Sequence, residues 1–177
     1  MILNLFKLYL YFLLITNLNF INGFDLCIVG ASSGLGRELI YQTINNNKIL
    51  ALTNNPDNIK IPYRGRSLNN KNSNLLLRSP NLEITNYENF NNYNFSDIVF
   101  TSGAQPFQKD YSDIITRNIL ECESLNLKNI ILISAYGVGD SLSNSNPGIK
   151  IMNNLYLQDV YRAKNMQEKL LNNYKEK

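Results

Sequence analysis

The chain has no histidine, which removes the commonest general base and the commonest metal ligand. It has only two cysteines, Cys27 and Cys122, both in apolar company. Two thiols make neither a disulfide framework nor a zinc spacing, and they read as small buried hydrophobes. Charge is also sparse. Asp, Glu, Lys and Arg make up 18% of the sequence, the formal net charge is +3, and no basic block occurs, so nothing calls for nucleic acid as a partner. No apolar run reaches the roughly 20 residues of a comfortable membrane span. The longest, Leu8 to Ile15, follows Lys7 and gives way to Thr16, Asn17 and Asn19, with Gly23 ahead of Phe24. This is the pattern of a secretory signal with a short apolar region; the looser stretch Ile2 to Ile21 would alternatively serve as a membrane anchor.

At 177 residues and 44% hydrophobic content, the remainder suits one domain with a real core. The division expected is a signal-like or anchoring segment over 1–23 and a single domain over 24–177. Asparagine is abundant, about 30 positions, and gathers in expected loops, where it carries no binding code.

The chain is organised around Asp25 to Ile40. Leu26, Cys27, Ile28 and Val29 form an apolar run suited to a buried parallel strand. Gly30, Gly34 and Gly36 follow at G-x-x-x-G-x-G spacing, and a helical pattern opens at Arg37 with Leu39, Ile40, Thr43 and Ile44 on one face. Strand, glycine turn and helix together point to dinucleotide binding. Gly30 would permit the sharp turn, Gly34 the approach of backbone to a pyrophosphate, and Gly36 the close packing of helix on strand. Ser32, Ser33, Leu35 and Arg37 complete the loop, and the helix N-terminus offers N–H groups and a positive dipole. The alternative is a glycine-rich turn without a ligand.

Further strands are expected at Lys48 to Thr53, Leu82 to Thr85, Asp97 to Phe100 and Asn129 to Ser134, the last being the strongest buried-strand signal. Leu75, Leu76 and Leu77 hint at a short helix within an irregular stretch. Helices are expected over Asp113 to Leu125, with Ile115, Ile119, Cys122 and Leu125 facing the sheet, and over Leu155 to Tyr174, after a Ser/Asn/Pro/Gly loop at 141–148. On that last helix Val160, Ala163, Leu170 and Tyr174 share a side interrupted by Gln167, while Tyr161, Lys164 and Glu168 fall on a more polar face. Alternating strands and helices predict an α/β fold, a Rossmann-like doubly wound parallel sheet of about five strands. Ligands of such sheets lie at the carboxyl ends of the strands, which brings Ser102 and Gly103 beside the cofactor.

No carboxylate stands at 53–55, where it would accept from the 2′-hydroxyl of NAD. Arg37, Arg64 and Arg66 are available for a 2′-phosphate, which tilts the expected cofactor to NADP over NAD. The competing reading of these arginines is solvated loop charge.

The glycine turn, Thr101 to Ala104 after the fourth strand, and a fifth strand ending in Ser134 resemble a short-chain dehydrogenase/reductase. Asn118, the segment Ser134 to Asp140, and the Lys- and Glu-bearing segment Asp159 to Glu168 resemble its atypical, NmrA-like branch, which includes biliverdin- and flavin-reductase-like proteins. The resemblance covers about 25–173. It implies hydride transfer from a nicotinamide to a small carbonyl or conjugated acceptor. Ser134 would hydrogen-bond the acceptor oxygen, Tyr136 or Tyr161 would supply a proton, and Lys164 would bind ribose hydroxyls. It also implies a small-molecule substrate, or a dinucleotide sensor or scaffold without turnover.

Two departures weigh against a complete catalytic set. No tyrosine is followed by lysine four residues later; Tyr161 and Lys164 are three apart. Family members also usually continue into a sixth strand that shapes the substrate pocket, so a C-terminally shortened sheet is expected.

Overall fold

The computed structural model describes residues 23–59, 79–103 and 108–175. The signal-like stretch before Gly23, the arginines Arg64 and Arg66, and Leu75 to Leu77 lie outside them. Strand β1 (Gly23–Val29) leads through the glycine turn into helix α1 (Gly34–Thr43), followed by β2 (Ile49–Thr53), β3 (Leu82–Asn86) and β4 (Asn94–Phe100). Helix α2 (Ser112–Leu120), β5 (Asn129–Leu132), α3 (Pro147–Tyr156) and α4 (Gln158–Lys175) complete the order. The strands form one all-parallel sheet in the order β3-β2-β1-β4-β5. This is the Rossmann-like α/β fold the sequence predicts.

The apolar run of β1 sits at the sheet's centre, with Cys27 registered between Leu50 of β2 and Ile98 of β4. Side chains alternate across a strand. Cys27 and Val29 therefore join Leu50, Leu52, Ile98 and Phe100 in one core, reached by Ile119 of α2. Ile28 joins Ile49 and Ala51 in the other, covered by Ile40 and Ile44 at α1. Burial on both faces explains why these strands read as unbroken apolar runs. Burial also pushes the Cys27 thiol well above its ordinary pKa, leaving it inert. Cys122, by contrast, is half-buried, with its sulfur 3.1 Å from Ser124 Oγ.

Three expectations are corrected. β5 is shorter than Asn129 to Ser134, ends at Leu132 and forms an edge of the sheet, not a doubly buried strand. Ile130 and Leu132 pack on the core, while Ile131 and Ile133 are 52% and 39% exposed. A continuous apolar run reports hydrophobicity but not whether a helix covers each face. Second, the expected loop at 141–148 ends in helix α3. Asn146 caps it by accepting from Gly148 N at 2.8 Å, and Pro147 occupies the first position, both helix-start signals. Leu155 belongs to this helix and not to the next, and α2 stops at Leu120, short of Leu125.

Third, Gln167 does not interrupt an apolar side of α4. It is fully buried against α2, and its Nε2 donates to Thr116 Oγ1 at 2.7 Å and to the Ser112 carbonyl at 3.2 Å. Ala163 and Leu171 are buried on the same face. Arg162 borders this seam, donating to Asp113 Oδ2 at 3.0 Å and to the Asp110 carbonyl at 3.3 Å. Each such bond is worth about 1 kcal/mol net, or somewhat more where one partner is charged. Among the described residues no helix is long and apolar enough to cross a membrane.

Candidate functional site

The glycine turn is held by a chain of hydroxyls joining three elements. Ser33 caps α1, its Oγ accepting from Gly36 N at 2.9 Å. That hydroxyl donates to Thr101 Oγ1 at 3.1 Å, and Thr101 donates to the Val29 and Gly30 carbonyls at 2.9 and 3.0 Å. The start of the helix, the end of β4 and the end of β1 are thereby locked together. Thr101 was missed as a site residue because this role needs a partner about seventy positions away.

Within this turn glycine is required at Gly30 and at Gly36. Gly30 has φ +87°, and a Cβ there would lie 2.5 Å from Ser102 N. A Cβ at Gly36 would lie 2.5 Å from the Gly30 carbonyl and 2.9 Å from Ala31 Cα, the close helix-to-strand approach expected of that glycine. Gly34 opens α1 half-buried, and Leu35 beside it is 44% exposed. Their N–H groups have no intrahelical carbonyl to donate to. Arg37, half-buried, donates from Nε to the Ser33 carbonyl at 3.3 Å.

Gly30, Ser32, Ser33, Ser102, Gly103 and Asp110 border a cleft of about 260 Å³ at the carboxyl ends of β1 and β4. Ser102 is 8% exposed, and among the described residues its hydroxyl has no hydrogen-bond partner. A buried orphan hydroxyl costs free energy unless something polar comes to meet it. A Cβ on Gly103 would make ordinary contacts with Lys164 Cε at 3.6 Å and with Asp110 Oδ2 and Lys164 Nζ at 4.0 Å, so the protein itself does not demand glycine there. The cleft shares Asn54, Tyr87, Tyr111 and Ile115 with a larger groove of about 930 Å³, which Asn118 also lines. Asn54 stands at the end of β2, where a ribose-binding residue is expected.

Tyr87 and Asp110 were not found from sequence. The Tyr87 hydroxyl is pushed up to about 12 by burial, with the Gly30 backbone pulling the other way and Asp110 adding to the rise. Asp110 is 4% exposed and accepts from Ser112 N at 2.8 Å. An Asp three residues before the helix predicted at Asp113 was the available signal.

Tyr161, Lys164 and Glu168 of α4 reach the segment 133–136 that carries Ser134 after β5. Ser134, Tyr161 and Lys164 do not, however, line the cleft beside the glycine turn, and Tyr161 borders a separate pocket with Gly137, Val138 and Arg162. Lys164 is not on a solvated helix face. It is 6% exposed, and its Nζ donates to the Ile133 carbonyl at 2.9 Å and to the Ser102 carbonyl. It thereby ties the ends of β4 and β5. Burial lowers its pKa, against the opposing pull of Asp110 and Glu168. Ser134 hydrogen-bonds Glu168, and Tyr161 Oη lies 2.9 Å from the Tyr136 carbonyl. Among the described residues no group of three acidic, Cys or His side chains is placed to hold a metal.

No protein-family model matches the sequence, and no curated protein does. Among solved structures the chain is similar in fold to one described as a structural and functional study of chuY from E. coli strain CFT073. The identity is 15% and the TM-score 0.50, over 85% of this chain and 65% of that one. At that identity the likeness speaks to the fold alone. The chain spans about two thirds of the length of that structure, and its glycine turn, central β1 and Lys164 tie belong to a Rossmann-like sheet.

Proposed function

We propose that the protein binds a nicotinamide dinucleotide at the carboxyl edge of the sheet, with the pyrophosphate against the glycine turn and the pyridine ring towards the end of β5. The orphan hydroxyl of Ser102, buried in the cleft beside Gly30, carries this reading. The first-turn N–H groups of Gly34 and Leu35 supply the anion-binding complement. NADP is the preferred form, because Asn54 and Asn55 stand where NAD would find a carboxylate, and Arg37 is the basic residue of the turn. The chemistry assigned is reduction of a small carbonyl or conjugated acceptor, with the nicotinamide supplying the hydride when bound. Lys164 holds ribose hydroxyls, Tyr161 borders the acceptor, and Ser134, its proton committed to Glu168, faces the pyridine ring. Titration of the full chain with NADPH and NADH, followed by a screen of quinone, flavin and tetrapyrrole acceptors, tests it. Equal affinity, or preference for NADH, sinks the choice of NADP; no binding sinks the site.

A second reading is binding without turnover, as a sensor or scaffold. It is favoured by Tyr161, whose hydroxyl proton is held by the Tyr136 carbonyl and not offered to a substrate. Acceptor reduction that drops at least tenfold in Tyr161→Phe would defeat it.

A further inference from the structure

The end of β5 carries two hydroxyls, and each one's neighbour fixes the direction of its proton. Ser134 Oγ meets Glu168 Oε1, and Tyr161 Oη meets the Tyr136 carbonyl at 2.9 Å. A carboxylate and a backbone carbonyl offer only lone pairs. Both hydroxyls must therefore donate to the protein, and what each has left is the capacity to accept. Two of the three Lys164 N–H groups are committed in the same way, to the Ser102 and Ile133 carbonyls.

Glu168 is set up for this contact. It lies one helical turn beyond Lys164, whose positive charge attracts it. Gly139, at φ +53°, leaves the space its carboxylate fills, because a Cβ there would overlap Glu168 Oε2. An i,i+4 charge pair alone would leave the carboxylate on the helix surface, without the serine or the glycine.

We propose that Glu168 sets the ligand specificity of this end of the site. By taking the Ser134 proton it makes the serine an acceptor, so the ring substituent that meets Ser134 must present N–H or O–H, and a ketone or carboxylate in that one place is disfavoured. Within the dinucleotide reading, on which this rests, the recognised group is the primary carboxamide of the pyridine ring.

The test titrates the full chain calorimetrically with NADP, its 3-acetylpyridine analogue and its nicotinic acid analogue, which present an amide, a ketone and a carboxylate at one position. NADP is expected to bind about tenfold tighter than the ketone, the equivalent of one good hydrogen bond, with the carboxylate weakest. In Glu168→Gln the side chain can itself donate to Ser134, releasing the serine proton, and the preference over the ketone falls to within about twofold. Gly139→Ala, which removes the seat of the carboxylate without altering its charge, gives the same collapse. Circular dichroism checks that each variant is folded. ADP-ribose carrying the 2′-phosphate, which lacks only the pyridine ring of NADP, reports on the phosphate end alone. If this fragment binds and wild type takes amide and ketone equally, or if the preference survives both substitutions, the proposal is overturned while the dinucleotide reading stands. If neither this fragment nor any of the three binds, both fall.

Discussion

The two ends of the candidate site are built from different materials. At β1 the site is backbone: a positive-φ glycine, the first turn of α1, and carbonyls locked by Thr101 and Ser33. Its strand lies at the centre of the sheet, and Cys27, Ile28 and Val29 are fully buried. At β5 the site is side chain: Ser134, Tyr161, Lys164 and Glu168, beside an edge strand with one face exposed. Backbone at the centre of a core has one arrangement and tolerates little, whereas side chains at an edge can be exchanged with small consequences for the fold. Under the proposed dinucleotide reading, the difference assigns binding to the centre and chemistry to the edge.

The sharpest way to break this contrast is to add atoms at the centre. Gly30→Val should destabilise the fold by about 3 kcal/mol or more, from overpacking against Ser102 and the left-handed backbone. It should also abolish dinucleotide binding; chemical denaturation and calorimetry measure the two. Ser134→Ala at the edge should leave stability within about 0.5 kcal/mol, and a larger loss would mean that the β5 end is as structural as the β1 end.

Lys164 is the edge residue expected to behave like the centre. Lys164→Met leaves the Ser102 and Ile133 carbonyls without their donor and should cost about 2 kcal/mol. Its pH signature has a definite sign. Burial lowers the folded-state pKa below the ordinary 10.5, so over the interval just under 10.5 the unfolded chain holds the proton more tightly. Stability therefore rises with pH across that interval, and the rise should vanish in Lys164→Met.

Tyr87 has the opposite sign. Its folded-state value of about 12, against 10 for an ordinary tyrosine, means that the unfolded chain ionises first and stability falls between pH 10 and 12. Tyr87→Phe should flatten that fall, and absorbance near 295 nm should lose a phenol titrating at about 12. The smallest effect is expected at the α2–α4 seam. Gln167→Leu removes two hydrogen bonds but also a buried carbonyl oxygen without a partner among the described residues. The net change should stay within about 1 kcal/mol by urea unfolding.

The centre was also the legible part. Leu26 to Val29, Ile49 to Thr53 and Asp97 to Phe100 are apolar runs bounded by turn residues, and two-sided burial is what such runs encode. The glycine spacing revealed the turn because the constraint is local. At the edge, local pattern fails. Ile131 and Ile133 look as apolar as any core residue, yet their exposure depends on what covers that face. Lys164 and Gln167 look like ordinary polar helix residues, and only the arrival of β4, β5 and α2 buries them. Tyr87 and Asp110 reach the cleft through loops whose path no periodicity describes.

The hydroxyl of Thr101 reaches the β1 carbonyls across 72 positions of sequence. β1, α1 and β2 can associate early, being close in the chain, but the β1–β4 pairing must close a long loop, and contacts of that span form slowly. The glycine turn therefore acquires its Ser102 wall only when the most distant pairing is complete. Nucleotide affinity measured during refolding would then serve as a clock for the last long-range step, appearing with the final phase and not with the first gain of helix.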